Sequence, residues 1–300
     1  MVERWKQAGL ILLSALAIWS ASQVYLVVSK ELVKSITNFI ELYIGLGVLC
    51  LVLYLAAVKF IERRWPAELS LAGASRELGA GALWGLALFS LVMALLWAPG
   101  VYQLQGWDGS NALGLAGMVV FWLFIAIEEE ILWRGLVYRL CAKVFGTWGA
   151  LLLSGVLFSV KHILDNPNVT FAAFVGLLLA GVFLGAAYAA TGRLWLPIGL
   201  HFGWNFAEGT LFGTEVSGQS VGQTLLTGKL TGPALWSGGK FGAEASGVAW
   251  IILIAASAFL VWRISKSKRA EPPIWRDSPE TPHQVSSAGR WKNGDEHFRA

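Results

Sequence analysis

Three consecutive glutamates, Glu128, Glu129 and Glu130, end the apolar run ALGLAGMVVFWLFIAIEEE, and Arg134 follows four residues after the last of them. Two of the four histidines, His162 and His201, also lie in apolar stretches, and Asn205 stands one helical turn beyond His201. Ionisable groups at such depth cost about 2.5–3.5 kcal/mol each on insertion scales and are candidates for function by default. Successive helical residues are turned by about 100°, so the three glutamates face three ways. Glu130 and Arg134 share a face and can pair, which on its own reads as a buried structural salt bridge. Glu128 has a polar lumen or protonation open to it. Glu129 has no local partner. A carboxylate, two imidazoles and a carboxamide in a dry cavity can activate water. Glu129 would take the proton, the imidazoles would ligate a metal or donate hydrogen bonds, and Asn205 would donate to an oxyanion. His283 and His297, near the C-terminal end, read as inert.

The elements that must position these groups are membrane helices. The 300 residues are 56% hydrophobic and 14% charged, with mean hydropathy +0.59, whereas soluble domains carry about 25% charged residues. The 16 tryptophans suit membrane interfaces. The expected fold is an all-α polytopic membrane protein of about eight transmembrane helices, near 8–28, 38–60, 78–98, 113–133, 148–164, 170–190, 194–212 and 247–263. The first reads as a retained helix rather than a cleaved signal peptide, because it stays apolar to Val28. With both termini cytoplasmic, 14 Lys and Arg residues fall inside and five outside, the sense that the positive-inside rule requires. Cys50 and Cys141 lie in apolar segments and suggest neither a disulfide framework nor thiol chemistry. No nucleic-acid footprint is present.

The chain divides into N-terminal helices (1–112), a polar-site core (113–212), a Gly/Ser-rich loop (213–245), a last helix (246–263) and a polar tail (264–300) whose composition predicts disorder. Within the core the turn between helices four and five falls in FGTWG, residues 145–149. Glu129 is 16 residues before Phe145 and His162 is 17 after it. At 1.5 Å per residue both lie roughly 25 Å from the turn, so an antiparallel hairpin places them at one depth. His201, about nine residues past Gly192, is shallower by the same count unless the first turn protrudes from the bilayer. A proton-relay transporter would also use buried Glu and His, but neither inverted repeats nor discontinuous helices are visible.

Three segments together resemble a known family. EEILWR (129–134) fits Glu-Glu-x-x-x-Arg, FSVKH (158–162) fits Phe-x-x-x-His, and HFGWN (201–205) fits His-x-x-x-Asn. In this order they resemble the CPBP family of intramembrane proteases, which includes type II CAAX prenyl endopeptidases and lysostaphin-resistance and bacteriocin-immunity types. The matching core covers about 113–212, and the loop GPALWSGGKFGAE is similar to family members at this position.

The resemblance implies an eight-helix endopeptidase acting on membrane-associated or lipidated proteins or peptides. Glu129, His162, His201 and Asn205 would be the catalytic set, with Glu130 and Arg134 supporting it. It implies either a divalent metal such as Zn²⁺ held by Glu129, His162 and His201, or a metal-free glutamate mechanism. The other reading of the same fold is a non-catalytic immunity or scaffold protein. The expected setting is a bacterial plasma membrane, with a membrane protein or peptide substrate and the lipid bilayer as partners.

Overall fold

The computed structural model describes residues 2–29, 36–109, 111–166, 170–220, 222–267 and 269–276. The fold is that of an all-α integral, multi-pass membrane protein. In chain order the long helices are α1 (Val2–Ser29), α2 (Ile36–Ala56), α3 (Ala74–Trp97), α4 (Ala112–Glu130), α5 (Arg139–Asp165), α6 (Phe171–Thr191), α7 (Trp195–Asn205) and α9 (Gly247–Lys266), with a one-turn α8 (Ala234–Ser237) before the last. Six stretches among the described residues are long and apolar enough to cross a membrane. One of them, Ala112–Asp165, contains both the fourth and the fifth helices expected from the sequence. The expected seventh is built from α7 and a π-helical turn, Phe206–Leu211. Outward-facing Leu12, Leu13, Leu91, Leu95, Ile254 and Phe259 give the bundle an apolar exterior, as lipid demands.

Local chemistry sets the ends of the helices. The Asn111 side chain accepts from Gly114 N at 2.9 Å, Thr170 Oγ1 from Ala173 N at 3.2 Å and Ser246 Oγ from Ala249 N at 3.2 Å. These are N-caps that satisfy otherwise orphaned amides of α4, α6 and α9. Gly146 breaks α5 with φ 71° and ψ 178°, a conformation open to glycine and strained for other residues. The chain reverses there, within the FGTWG segment.

The tightest helix crossing is α3 on α7. A Cβ on Gly85 would stand 2.2 Å from the Leu200 carbonyl oxygen, and one on Gly203 would stand 2.1 Å from that of Ala82. Without side chains at these positions the two backbones touch, as small residues permit between membrane helices. This contact fixes the height of α7, and with it His201 and Asn205.

Two features depart from the sequence reading. The fold is not purely helical: β1 (Tyr102–Trp107) pairs antiparallel with β2 (Leu226–Leu230), tying the loop after α3 to the Gly/Ser-rich segment. The composition of 264–300 predicted a disordered tail, yet α9 continues to Lys266 and residues 269–276 pack on the bundle. Glu271 N donates to Thr147 Oγ1 at 2.8 Å, Thr147 N donates to the Glu271 carbonyl at 3.0 Å, and Trp275 meets Phe145 edge-on. The backbone there finds partners that composition does not reveal. The rest of that tail, 277–300, lies outside the described residues.

Near this end of the bundle, Glu62 and Glu68 meet Arg64 and Arg139. Arg64 spans both carboxylates, at 2.8 and 2.6 Å, while Arg139 pairs with Glu62 and Tyr54 donates to Glu68. Burial opposes ionisation of Glu68, but the Arg64 hydrogen bonds and the Arg139 charge outweigh it and hold its carboxyl below the usual range.

Candidate active site

α4 does not end at the glutamates. It runs into a π-helical stretch, Ile131–Tyr138, before α5 begins. A second π-helical turn follows Asn205 directly. Such insertions shift the angular phase of a helix and are frequent at functional sites.

Glu130 is fully buried and Arg134 is 2% exposed. Arg134 Nη1 donates to Glu130 Oε1 at 2.6 Å, and its Nη2 donates to the Gly181 carbonyl at 3.2 Å. The guanidinium lies 5.2 Å from the centroid of the Phe158 ring. The pair foreseen from i,i+4 spacing is therefore present, and it has a third member. His201 Nδ1 is 2.8 Å from the same Glu130 Oε1. A carboxylate can only accept, so Nδ1 carries the proton and the ring presents Nε2 to the cavity. Nothing local to either motif signals this contact, because it joins residues 71 apart.

His162 is oriented in the same manner by backbone. Its Nδ1 lies 2.9 Å from the Phe158 carbonyl oxygen, which accepts the Nδ1 proton and leaves Nε2 as the free nitrogen. Both Nε2 atoms face Glu129: His162 Nε2 is 3.9 Å from Oε1 and His201 Nε2 is 3.9 Å from Oε2. Glu129 and His162 thus meet at one depth, as their equal distances from the turn imply. Glu129 Oε2 is buried and without a hydrogen-bond partner.

Glu129, His162, His201 and Asn205 line one cavity of about 50 Å³, walled by Phe158, Leu177, Phe183, Leu200 and Trp204. That is room for one or a few waters. The four side chains come from α4, α5 and α7, so the structure brings all of them together. Glu128 turns away into a wider vestibule of about 300 Å³, which Glu129, His162 and Asn205 also line. Trp19, Gln23 and Tyr43 from α1 and α2 border this vestibule, as does the Lys161–Asp165 ion pair at 2.8 Å.

The donor set suits a metal in kind. Two imidazoles whose second nitrogens are bonded to a carboxylate and a backbone carbonyl match the outer-shell pattern of metal-binding histidines, and each faces one oxygen of Glu129, whose buried Oε2 is orphaned. The side chains are not drawn in around a point, however. Among the described residues no three His, Cys, Asp or Glu side chains form a ready metal cluster.

Two further groups belong to the cavity and were not found from the motifs. Ser217 and Glu244 complete its wall, and both come from the segment between α7 and α9. Glu244 Oε1 accepts from Ser217 N at 2.7 Å and from Ser217 Oγ at 2.9 Å. Glu208, fully buried in the second π-helical turn, accepts from Glu244 N at 3.2 Å. The only sequence signal was two acids within otherwise small or apolar neighbours, FAEGT and FGAEA.

Comparison with known proteins agrees with this geometry. An Escherichia coli protein described as "Uncharacterized 24.3 kDa protein" is 27% identical over 159 residues, covering 50% of this chain and 71% of that one. No solved structure matches. Residues 110–207, which hold Glu129, His162, His201 and Asn205, match the family described as "Type II CAAX prenyl endopeptidase Rce1-like", so the chain carries over that stretch a domain of the CPBP family to which these endopeptidases belong.

Proposed function

We propose that the protein is an intramembrane endopeptidase that hydrolyses peptide bonds of membrane-associated or lipidated proteins within the bundle. The observation that carries this reading is the Glu129 carboxyl in a water-sized cavity, its buried Oε2 orphaned and an imidazole nitrogen 3.9 Å from each of its oxygens.

A water in that cavity gives its proton to Glu129 as it attacks the scissile carbonyl. Withdrawal from bulk water strengthens each electrostatic contact made there. His162, held by the Phe158 carbonyl, orients the water through Nε2. Asn205 donates from its amide to the developing oxyanion. His201, when protonated on both nitrogens, donates from Nε2 to the same oxygen, and Glu130 at its Nδ1 stabilises that charged ring. Arg134, donating to the same Glu130 oxygen, keeps that carboxylate in place. Were a divalent ion such as Zn²⁺ bound, Glu129, His162 and His201 would hold it, and it would supply Lewis-acid activation of the water. Substrate would arrive through the vestibule bordered by α1 and α2. The basic excess near Gly146 and both termini supports a cytoplasmic setting for that end, in a bacterial plasma membrane crossed eight times.

The test is cleavage of a panel of membrane-anchored and lipidated peptides by purified protein, wild type against Glu129→Gln. Loss of cleavage in the variant is expected. Undiminished cleavage by Glu129→Gln would remove this reading.

A further inference from the structure

Glu244 has no place in the mechanism above, yet it lines the same cavity as Glu129. It is 7% exposed, and the ion pairs among the described residues give it no cation. One of its oxygens is fixed by two donors from Ser217. Its backbone amide is bonded to Glu208, a second buried carboxyl. The charged or titratable groups around it are Glu129 and His162 from the α4–α5 arm, His201 and Glu208 from α7 and its π-helical extension, and Glu215 beside Ser217. α6 and the first turns of α9 bring no charged side chain. A buried carboxyl so placed, without an ion-pair partner, is disposed to hold a proton. Burial, first, outweighs the Ser217 hydrogen bonds and the His201 charge and, with the nearby Glu129 charge, pushes the Glu244 carboxyl up to about 7.

We infer that Glu244 is a catalytic residue, the proton donor to the leaving amine, acting across the cavity from the base Glu129. This rests on the peptidase reading. Water oxygen bonds to the scissile carbon as its proton passes to Glu129, giving a tetrahedral intermediate. The C–N bond then breaks, its electron pair goes to nitrogen, and nitrogen takes the proton of the Glu244 carboxyl. The products are a carboxylic acid, a neutral amine and ionised Glu244. The proton on Glu129 returns through the cavity that the two carboxyls share to restore Glu244.

An amide nitrogen needs that proton in order to leave, and an ester oxygen with a good leaving group does not. The experiment compares wild type, Glu244→Gln and Ser217→Ala on a peptide substrate and on its ester analogue with the same acyl half. Gln can still accept from Ser217, so the wall is retained. Glu244→Gln is expected to lose about 10²–10⁴-fold on the amide, the usual worth of general-acid catalysis, while ester hydrolysis stays within a few-fold. Ser217→Ala should show the same selectivity, more weakly. The wild-type amide rate should fall as pH rises through about 7, with no such fall for the ester. Equal losses on both substrates, or none on the amide, would overturn the assignment. A wild type that cleaves neither substrate would instead defeat the peptidase reading, and the role assigned to Glu244 falls with it.

Discussion

Replacing Arg134 by Ala separates support from chemistry. The guanidinium has two protein acceptors, Glu130 Oε1 at 2.6 Å and the Gly181 carbonyl at 3.2 Å. Its removal leaves a carboxylate with no solvent exposure and without its cation. Breaking one side of a buried ion pair costs about 3–5 kcal/mol. His201 Nδ1 still donates to Glu130, which argues for the lower half of that range. A loss of about 3–4 kcal/mol lowers the folded-to-unfolded ratio by roughly 10²–10³. Glu129→Gln is isosteric, and the oxygen it alters has no hydrogen-bond partner, so its cost should stay within about 1 kcal/mol. Denaturant titration in detergent micelles, followed by tryptophan fluorescence, measures both. Arg134→Ala should shift the midpoint strongly and Glu129→Gln hardly at all, though only the latter abolishes turnover in protein that remains folded. The double variant Arg134→Met, Glu130→Gln should recover much of the lost stability, since no bare charge remains. Equal midpoints for the two single variants, or no recovery in the double, would refute this division of roles.

Asn205→Ala should lower kcat by about 10²–10³ with little change in KM, the expected loss of one oxyanion donor; steady-state kinetics decide. Protein purified without added metal, assayed for bound metal and for cleavage with and without 1,10-phenanthroline, separates the two forms of the mechanism, and full activity in metal-free protein would leave the glutamate form. Gly203→Ala drives a methyl group to 2.1 Å from the Ala82 carbonyl oxygen. It should cost about 1–3 kcal/mol as overpacking and reduce turnover in the folded fraction as well, because α7 must move; unchanged turnover there would count against the fixed height of α7. Glu68 is held below its ordinary range, so its contribution to stability is present above the unfolded value near 4.3 and is lost as pH falls through the folded one. Melting temperatures of wild type should therefore drop between pH 5 and pH 3, and those of Glu68→Gln should drop less.

What could be read from the sequence was what local periodicity encodes. Glu130–Arg134 followed from i,i+4 spacing, and the meeting of Glu129 with His162 followed from equal path lengths to the turn. The bond from His201 to Glu130, the wall supplied by Ser217 and Glu244, and the β1–β2 pairing all join segments distant in the chain, which no spacing rule reaches. The π-helical stretches after Glu130 and Asn205 shift the helical phase without a composition signal. Docking of residues 269–276 was hidden because its apolar residues, buried Ile274 and Trp275 against Phe145, stand in a short Pro-containing stretch without helical or strand periodicity. That segment holds on through backbone hydrogen bonds to Thr147 and the contact of Trp275 with Phe145.

The seam between α3 and α7 bears on what a shared stretch of sequence means physically. The family match begins at 110 and ends at 207, yet α7 rests by direct backbone contact on Gly81 and Gly85 of α3, upstream of it. Ser217 and Glu244, downstream of it, line the same cavity as Glu129. Cut out at its borders, the matched stretch would lose both the rail against which His201 is set and one wall of the chamber. The matched stretch is about a third of the chain, whereas the contacts that shape its site reach from α3 to the segment before α9. Chimeras that exchange this site between relatives should carry α3 and the α7–α9 segment along with it.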